Sequence, residues 1–483
     1  MFPPSPAYLL VSIVWEGGGG MAFLERMGNF LWNPWLLGLF LLAGAYFTIR
    51  SGFFQIFGCG RWLRETLGGL LRPRRGEKGR GLTQFQALST ALASTIGTGS
   101  IAGVATAIFF GGPGAVFWIW VSALLGMMTA FVEKGLAVRY RRRDAAGQWR
   151  GGPMYYMEDG LGWRLAPRIF AAACIFAALT GGGLVQANSI AGAAREALGL
   201  NPLMVGAVLA AVTGVTLAGG LGRIAGLCQM LVPAMAALFL GGGGVVILCH
   251  LPALPGVLWE IVSCASQPSA LPAGCAGNGI SAALRYGVAR GVFTNEAGVG
   301  SSAIAHAAAD TGNAGRQGLW GMCEVFLATL VICTVTALTI LLSGVYDQET
   351  ALTAIRAGTP EDQLLGAPMT MAAFAAVWGQ WGALLVVLCL TLFAFTSILG
   401  WSYYGEQALE YLTPGRGARR CYRLAFLAAV WLGCLGRVEE VWALSDIGTA
   451  LMALPNLAAL LCLSREGLEL LKSVKQRPGR GRR

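Results

Sequence analysis

Apolar residues in this chain come in runs of about twenty, the length a helix needs to cross a bilayer. Polar residues are gathered into the segments between them. Eleven runs predict membrane-spanning helices, near residues 34–57, 85–110, 114–138, 168–190, 203–221, 227–250, 281–309, 318–344, 380–405, 422–436 and 441–463. Residues 371–379 read as a short re-entrant or surface helix ahead of the ninth span. Two runs are interrupted from within. Thr95-Ile96-Gly97-Thr98-Gly99-Ser100 and Phe293-Thr294-Asn295-Glu296-Ala297-Gly298 put Gly and polar residues in mid-run. A helix broken at that depth frees N–H and C=O groups that lipid cannot satisfy, so such breaks belong where the freed groups line a cavity. One break in each half of the chain is the pointer to a secondary transporter with its site near the midplane.

The loops give the chain a direction. Segments 58–83 (with Arg72, Arg74 and Arg75), 139–168 (with Arg141, Arg142 and Arg143), 406–423 and 464–483, with Arg223 and Arg316, hold 27 Lys and Arg residues. The alternate loops hold four, Arg26, Arg195, Arg356 and Arg437. Basic loops stay in the cytoplasm. An odd number of spans then puts the N-terminus outside and the C-terminus inside. Setting the first span aside leaves two sets of five, about 85–250 and 281–463, each opening with a broken helix. Because five is odd, the second set enters the membrane from the opposite side, an inverted-topology repeat. The expected architecture is an all-α polytopic membrane protein. Residues 1–30 form a disordered extension, 31–463 the transporter domain and 464–483 a basic cytoplasmic tail. Residues 1–20 end in Gly17 to Gly20 and lack the basic start of a signal peptide, and Met21 is an alternative start.

Composition agrees with the pattern. Hydrophobic residues make up 55% of the chain and charged residues only 12%, with a mean hydropathy of +0.61, against about 25% charged in soluble domains. The 70 glycines suit close helix packing in lipid. The net charge of +11 follows from the one-sided loops and implies no nucleic acid. Two histidines and the lack of a CxxC pair argue against a metal centre. Most of the twelve cysteines, such as Cys174, Cys333 and Cys389, read as packing residues inside spans. Cys264 and Cys275 share one loop and either pair or stay free.

Several residues carry candidate chemistry, each with a plainer alternative. At a broken helix, freed N–H groups attract an anion and freed carbonyls a cation, and a zwitterionic amino acid with sodium needs both. The alternative is a Gly-rich packing seam. Thr396 and Ser397 offer hard oxygen ligands, or bond back to their own helix. Gln186 and Asn188 either touch substrate or join helices. Glu296, ionisable at membrane depth, either positions Asn295 and the unwound backbone, meets a substrate ammonium, or serves as a structural hydrogen-bonding group. Glu324 reads as structural. Arg285 and Arg290 either gate the outer side or snorkel to it.

Six stretches are more specific: GGPGAVFWIWVSALLG at 111–126, GGPMYY at 151–156, VQANSI at 185–190, RYGVARG at 285–291, IAHAAA at 304–309 and GWSYYGE at 400–406. Over about residues 30–463 the chain resembles the alanine or glycine:cation symporter family, the sodium:alanine symporters. The resemblance implies a leucine-transporter-like 5+5 inverted repeat with one extra N-terminal helix. It implies sodium-coupled uptake of alanine or glycine, with sodium as coupling ion. The expected protein is embedded in the lipid of the bacterial plasma membrane, its oligomeric state open with a monomer favoured. On that fold, Thr98 and Gly99 hold the substrate carboxylate, and Gln186, Phe293, Thr294 and Trp401 complete the pocket. Sodium lies at the carbonyls of Ala93 and Ile96 with the hydroxyls of Thr396 and Ser397, and Thr95 and Ser100 are further candidates. The chain departs from the family pattern at Ile119, where Met is usual, at Ser100, where Asn is usual, and at Ala328, where an Asp is usual. Each of the last two removes a possible cation-coordinating group. Alternatives to sodium symport are proton coupling through Glu296 or Glu133, a membrane enzyme, which the short basic loops disfavour, and a non-transporting amino-acid receptor.

The charge asymmetry yields a direct test. A cysteine introduced into 139–168, in a background with the native cysteines removed, should resist an impermeant thiol reagent added outside intact cells and react after permeabilisation. Labelling from outside would reverse the topology.

Overall fold

The computed structural model describes residues 27–28, 30–70, 81–145, 147–266, 282–357, 365–436 and 438–475. The readings made on residues 1–20, Met21, Arg72, Arg74, Arg75, Cys275 and the last residues of the tail lie outside these.

Helices account for nearly all of the described chain. Besides short pieces at Phe54–Phe57, Cys59–Glu65, Leu67–Leu70 and Pro153–Tyr155, they are in order α1 (Pro34–Ser51), α2 (Gln84–Thr95), α3 (Ala102–Gly111), α4 (Gly114–Arg139), α5 (Ala166–Leu198), α6 (Pro202–Ala218), α7 (Gly220–Cys249), α8 (Leu254–Cys264), α9 (Ala282–Asn295), α10 (Ala303–Ala307), α11 (Ala314–Leu342), α12 (Gln348–Ala357), α13 (Ala367–Trp378), α14 (Gln380–Leu412), α15 (Arg416–Gly433), α16 (Val438–Cys462) and α17 (Ser464–Lys475). Among the described residues, seven helices are long and apolar enough to cross a bilayer. Their outward faces carry bare apolar side chains such as Leu42, Leu248 and Trp381, which water would disfavour and lipid accepts.

Both interruptions are real breaks. The first lies between α2 and α3, where Gly97 is extended and residues 98–100 make one tight turn. The second lies between α9 and α10. There Glu296, Gly298 and Gly300 all take left-handed backbone conformations (φ 49°, 90° and 94°). Two glycines reach them freely, whereas Glu296 does so against its steric preference. Each half of the chain therefore opens with a broken helix, followed by a long unbroken one, α4 or α11, and then a 33-residue helix, α5 or α14.

Several boundaries differ from the sequence reading, the fourth, sixth and ninth spans among them, which run to Leu198, from Gly220 and to Leu412. The first span stops at Ser51 because Gly52 and Phe53 turn left-handed (φ 72° and 55°). Residues 27, 28, 30 and 31 are helical, so the end of the expected 1–30 extension belongs to the folded unit. The tenth span begins at Arg416 rather than 422, taking the arginines assigned to the loop into its first turns. The tail begins as α17, with Gly467 against Val132 of α4 and Gly315 of α11 against the Leu470 carbonyl. Helices α8 and α12 lie where the sequence reading has loop, both too short to show as apolar runs.

The basic segments converge on one face. Leu82 pairs with Ala309, and Arg141 donates to the carbonyls of Ala307 and Thr311 (3.1 and 2.6 Å). Arg150 bridges Asp144 and Glu410 (3.0 and 3.4 Å). Tyr140 reaches Glu466 (2.7 Å), and Tyr411 reaches Glu158 (3.3 Å). These contacts join the loops that the charge count grouped together.

A buried polar cluster holds the second break. Glu133 of α4 accepts from the freed Gly298 N–H (2.8 Å) and from Asn456 of α16 (3.0 Å), and Asn456 also donates to the Gly298 carbonyl (2.8 Å). Lys134 pairs with Glu133 (2.7 Å) and approaches Glu324 (4.0 Å). His306 of α10 donates from Nε2 to Glu324 (3.0 Å) and accepts at Nδ1 from Gln317 (2.7 Å). Lys134, Glu133, Glu324 and His306 are all fully buried. Glu324, read from sequence as structural, is held here between His306 and Lys134.

Removing the one lysine of this cluster would strand two carboxylates. Lys134→Met should cost about 3–5 kcal/mol and lower the thermal midpoint of the detergent-purified protein. Adding Glu133→Gln and Glu324→Gln should recover much of that loss, because no charge is then left alone.

Candidate functional site

The two breaks meet. A Cβ placed on Gly99 would lie 3.0 Å from the Phe293 ring and 3.4 Å from Thr294 Oγ1. A Cβ on Gly97 would lie 2.7 Å from Ser397 Oγ and 3.2 Å from Gln186 Oε1. Only a hydrogen at each position lets the unwound backbone approach so closely. The broken segment is held from neighbouring helices. Thr336 of α11 donates to the Ser100 carbonyl (2.8 Å), and Thr370 of α13 donates to the Ile101 carbonyl (3.3 Å). Gln186 of α5 accepts from the Thr98 N–H (3.4 Å) and donates to the Gly181 carbonyl (3.3 Å).

Between the breaks lies one small cavity. Thr95, Gly99, Gln186, Phe293, Thr294 and Trp401 all line it, as do Ser94, Gly97, Gly181, Glu296, Ser445 and Thr449. The centre of a water-sized sphere has about 20 Å³ to move in, room for roughly one water molecule. Gly99, Gln186, Phe293, Thr294 and Trp401, named from sequence for the substrate, are thus lining residues, whereas Thr98 presents its N–H to Gln186. Asn188, two residues beyond Gln186, donates instead to the carbonyls of Gly433 and Gly436 (3.0 and 2.8 Å) and joins α5 to the end of α15.

The cation candidates divide. Ser397 Oγ lies 2.9 Å from the Ala93 carbonyl and 3.4 Å from that of Ser94, so α14 meets the C-terminal end of α2 there. Thr396 bonds back to the Phe393 carbonyl (3.0 Å) and lies 3.6 Å from Met235 of α7. The Ile96 N–H bonds to the Leu92 carbonyl (2.8 Å), closing the last turn of α2. The Thr95 hydroxyl bonds to the Ala91 carbonyl (3.2 Å).

Phe293, on the cavity wall, is backed by a second ring. Phe293 packs on Trp442 of α16, with ring centroids 5.4 Å apart. The Arg290 guanidinium lies over both, 5.9 Å from the first and 5.0 Å from the second. Arg285 lies against Tyr286 instead (5.8 Å). Glu296 is buried at the rim of the cavity, where one carboxylate oxygen accepts from Ser301.

The sequence reading missed Ser94, Gly181, Ser445 and Thr449. The run Gly181-Gly182-Gly183 falls in a wide turn of α5, over Ala178–Val185. Gly182 there lets Trp401 approach to within 2.2 Å of where a Cβ would stand. Ser445 and Thr449 are one helical turn apart on α16 and so share a face; that spacing was visible but also fits ordinary helix packing.

Known proteins resemble this chain along most of its length. The model of the sodium:alanine symporter family matches residues 20–483. The sodium/alanine symporter AgcS of Methanococcus maripaludis is 40% identical over 92% of this chain and 95% of that protein. YrbD of Bacillus subtilis, named as a candidate sodium/proton-dependent alanine carrier, is 36% identical over 95% of this chain and 93% of that protein. In fold, the chain is similar to a manganese transporter from Eremococcus coleocola (TM-score 0.52, 16% identity, 80% of this chain and 78% of that one).

The glycine contacts set an order of severity. Gly97→Ala drives a methyl into Ser397 and Gln186 and should abolish amino-acid binding. Gly99→Ala meets a ring that can yield slightly and should weaken binding, with the loss read by calorimetric titration. Wild-type affinity in both variants would move the pocket elsewhere.

Proposed function

The chain belongs to the sodium:alanine symporter family, and we propose that it takes up a small neutral amino acid, alanine or glycine, driven by a sodium gradient through alternating access. The observation that carries this reading is the cavity formed where the two breaks meet. Its lining brings the unwound main chain at Gly97 and Gly99 together with residues of the second break, and because it has room for only about one water as it stands, an amino acid binds as the two breaks move apart. In this reading the carboxylate of the amino acid lies at the N–H groups of Thr98 and Gly99, where it replaces the Gln186 oxygen that accepts from Thr98 in this structure. Gln186, Phe293, Thr294 and Trp401 enclose the rest.

Sodium, as co-transported ion, would take oxygens from the carbonyls of Ala93 and Ile96 and from the hydroxyls of Thr396 and Ser397, with Thr95 and Ser100 as further ligands. The 2.9 Å approach of Ser397 Oγ to the Ala93 carbonyl supports this, because it brings a hydroxyl to the partly negative end of α2. We read the two halves as inverted repeats, with the N-terminus outside and the basic face in the cytoplasm of a plasma-membrane monomer.

Proton coupling is the second reading, favoured by the place of Glu296 at the rim of the cavity. Radiolabelled alanine uptake into proteoliposomes at fixed membrane potential separates the two. Uptake should follow an inward sodium gradient and ignore a proton gradient. Uptake that follows pH with sodium absent would favour the carboxylate. Binding without uptake would make the protein a receptor.

Loss of two oxygen ligands should show in both ions and substrate. The double variant Thr396→Ala/Ser397→Ala should require far more sodium for half-maximal alanine binding in detergent. By linkage, its alanine affinity should fall in parallel at fixed sodium. A wild-type sodium curve would place the ion away from α14.

A further inference from the structure

Seven polar side chains line the cavity, and six of them are already engaged within the protein. Ser94 bonds to the Ala91 carbonyl (2.7 Å) and Thr95 to the same group (3.2 Å). Gln186 is held at both ends by Thr98 and Gly181. Thr294 bonds to the Arg290 carbonyl (2.8 Å), Glu296 accepts from Ser301, and Thr449 bonds to the Ser445 carbonyl (3.0 Å). The seventh is Ser445. Its side chain is 1% exposed, and its Oγ has no hydrogen-bond partner among the described residues. Across from it is Gly181, where a Cβ would stand 2.6 Å from that oxygen. The hydroxyl is thus buried, unsatisfied and kept clear by a glycine.

Leaving such a group unpaired costs about 1–3 kcal/mol, so a molecule that satisfies it recovers this on binding. Glycine and alanine carry polar atoms only in their ammonium and carboxylate groups. The reading of the site above, on which this inference rests, assigns the carboxylate to the first break. We propose that Ser445 Oγ accepts a hydrogen bond from the ammonium group of the bound amino acid, and that α16 is therefore part of the recognition surface alongside the two broken helices.

The test uses the purified full-length protein in detergent with saturating sodium. Alanine and glycine are titrated into wild type and Ser445→Ala, and the thermal midpoint of each is measured without amino acid. A hydroxyl with no protein partner contributes nothing to the free protein, so Ser445→Ala should keep or raise that midpoint. Its affinity for both amino acids should fall by about tenfold, the loss of roughly 1.4 kcal/mol. Unchanged affinity for either amino acid would overturn the proposal. So would a fall in affinity together with a lower midpoint, which would make Ser445 a structural residue. Failure of the wild type to bind alanine or glycine would overturn the substrate reading itself and this inference with it. Binding to wild type with an unaltered variant would overturn the inference alone.

Discussion

A backbone amide left unpaired in a low-dielectric interior costs more than most single side-chain contacts return. That constraint organises this protein. Two helices are unwound in its middle, and the groups set free are taken up by side chains from other helices. Thr336, Thr370 and Gln186 hold the first break. Glu133 and Asn456 hold the second. The breaks therefore survive because α4, α5, α11, α13 and α16 each lend a polar group at the required height.

This arrangement also explains why so much charge is buried. Glu133 is needed at Gly298, and an isolated carboxylate there would be strongly disfavoured. Lys134, the next residue on α4, supplies the opposite charge, and Glu324 with His306 extends the cluster to α11 and α10. Successive residues on a helix point about 100° apart, so α4 reaches the break with one side chain and the neighbouring helix with the next. The cluster ties together both sides of the unwound segment.

Much of this was legible in the sequence, for identifiable reasons. Membrane helices announce themselves by apolar length, and the breaks by Gly where length demands a helix. Basic loops announced the common face on which Leu82, Arg141, Arg150 and Tyr140 make their contacts. Thr95, Gly99, Gln186, Phe293, Thr294 and Trp401 line the cavity and are legible in the sequence from the breaks and a family resemblance. What escaped was of two kinds. Short amphipathic helices such as α12 and α17 carry no apolar run. Pairings between distant residues, such as Glu133 with Gly298 or His306 with Glu324, leave no trace in spacing, because each partner alone reads as an ordinary polar residue in a span. The Thr396–Ser397 pair lies between these cases. The sequence flagged both hydroxyls, while only the second is hydrogen-bonded to the first break.

The close approach of Gly99 to Phe293 has a consequence for how such a molecule diversifies. One wall of the cavity is main chain, fixed by the need to satisfy its own amides, and it cannot recede without undoing the break. The facing wall is a side-chain ring. A lineage that came to accept a bulkier cargo would be freer to change at position 293, or at Trp401, than at Gly97 or Gly99. The glycines act as a fixed jaw and the rings as an adjustable one, so related proteins with different cargoes are expected to differ on the aromatic side of the gap.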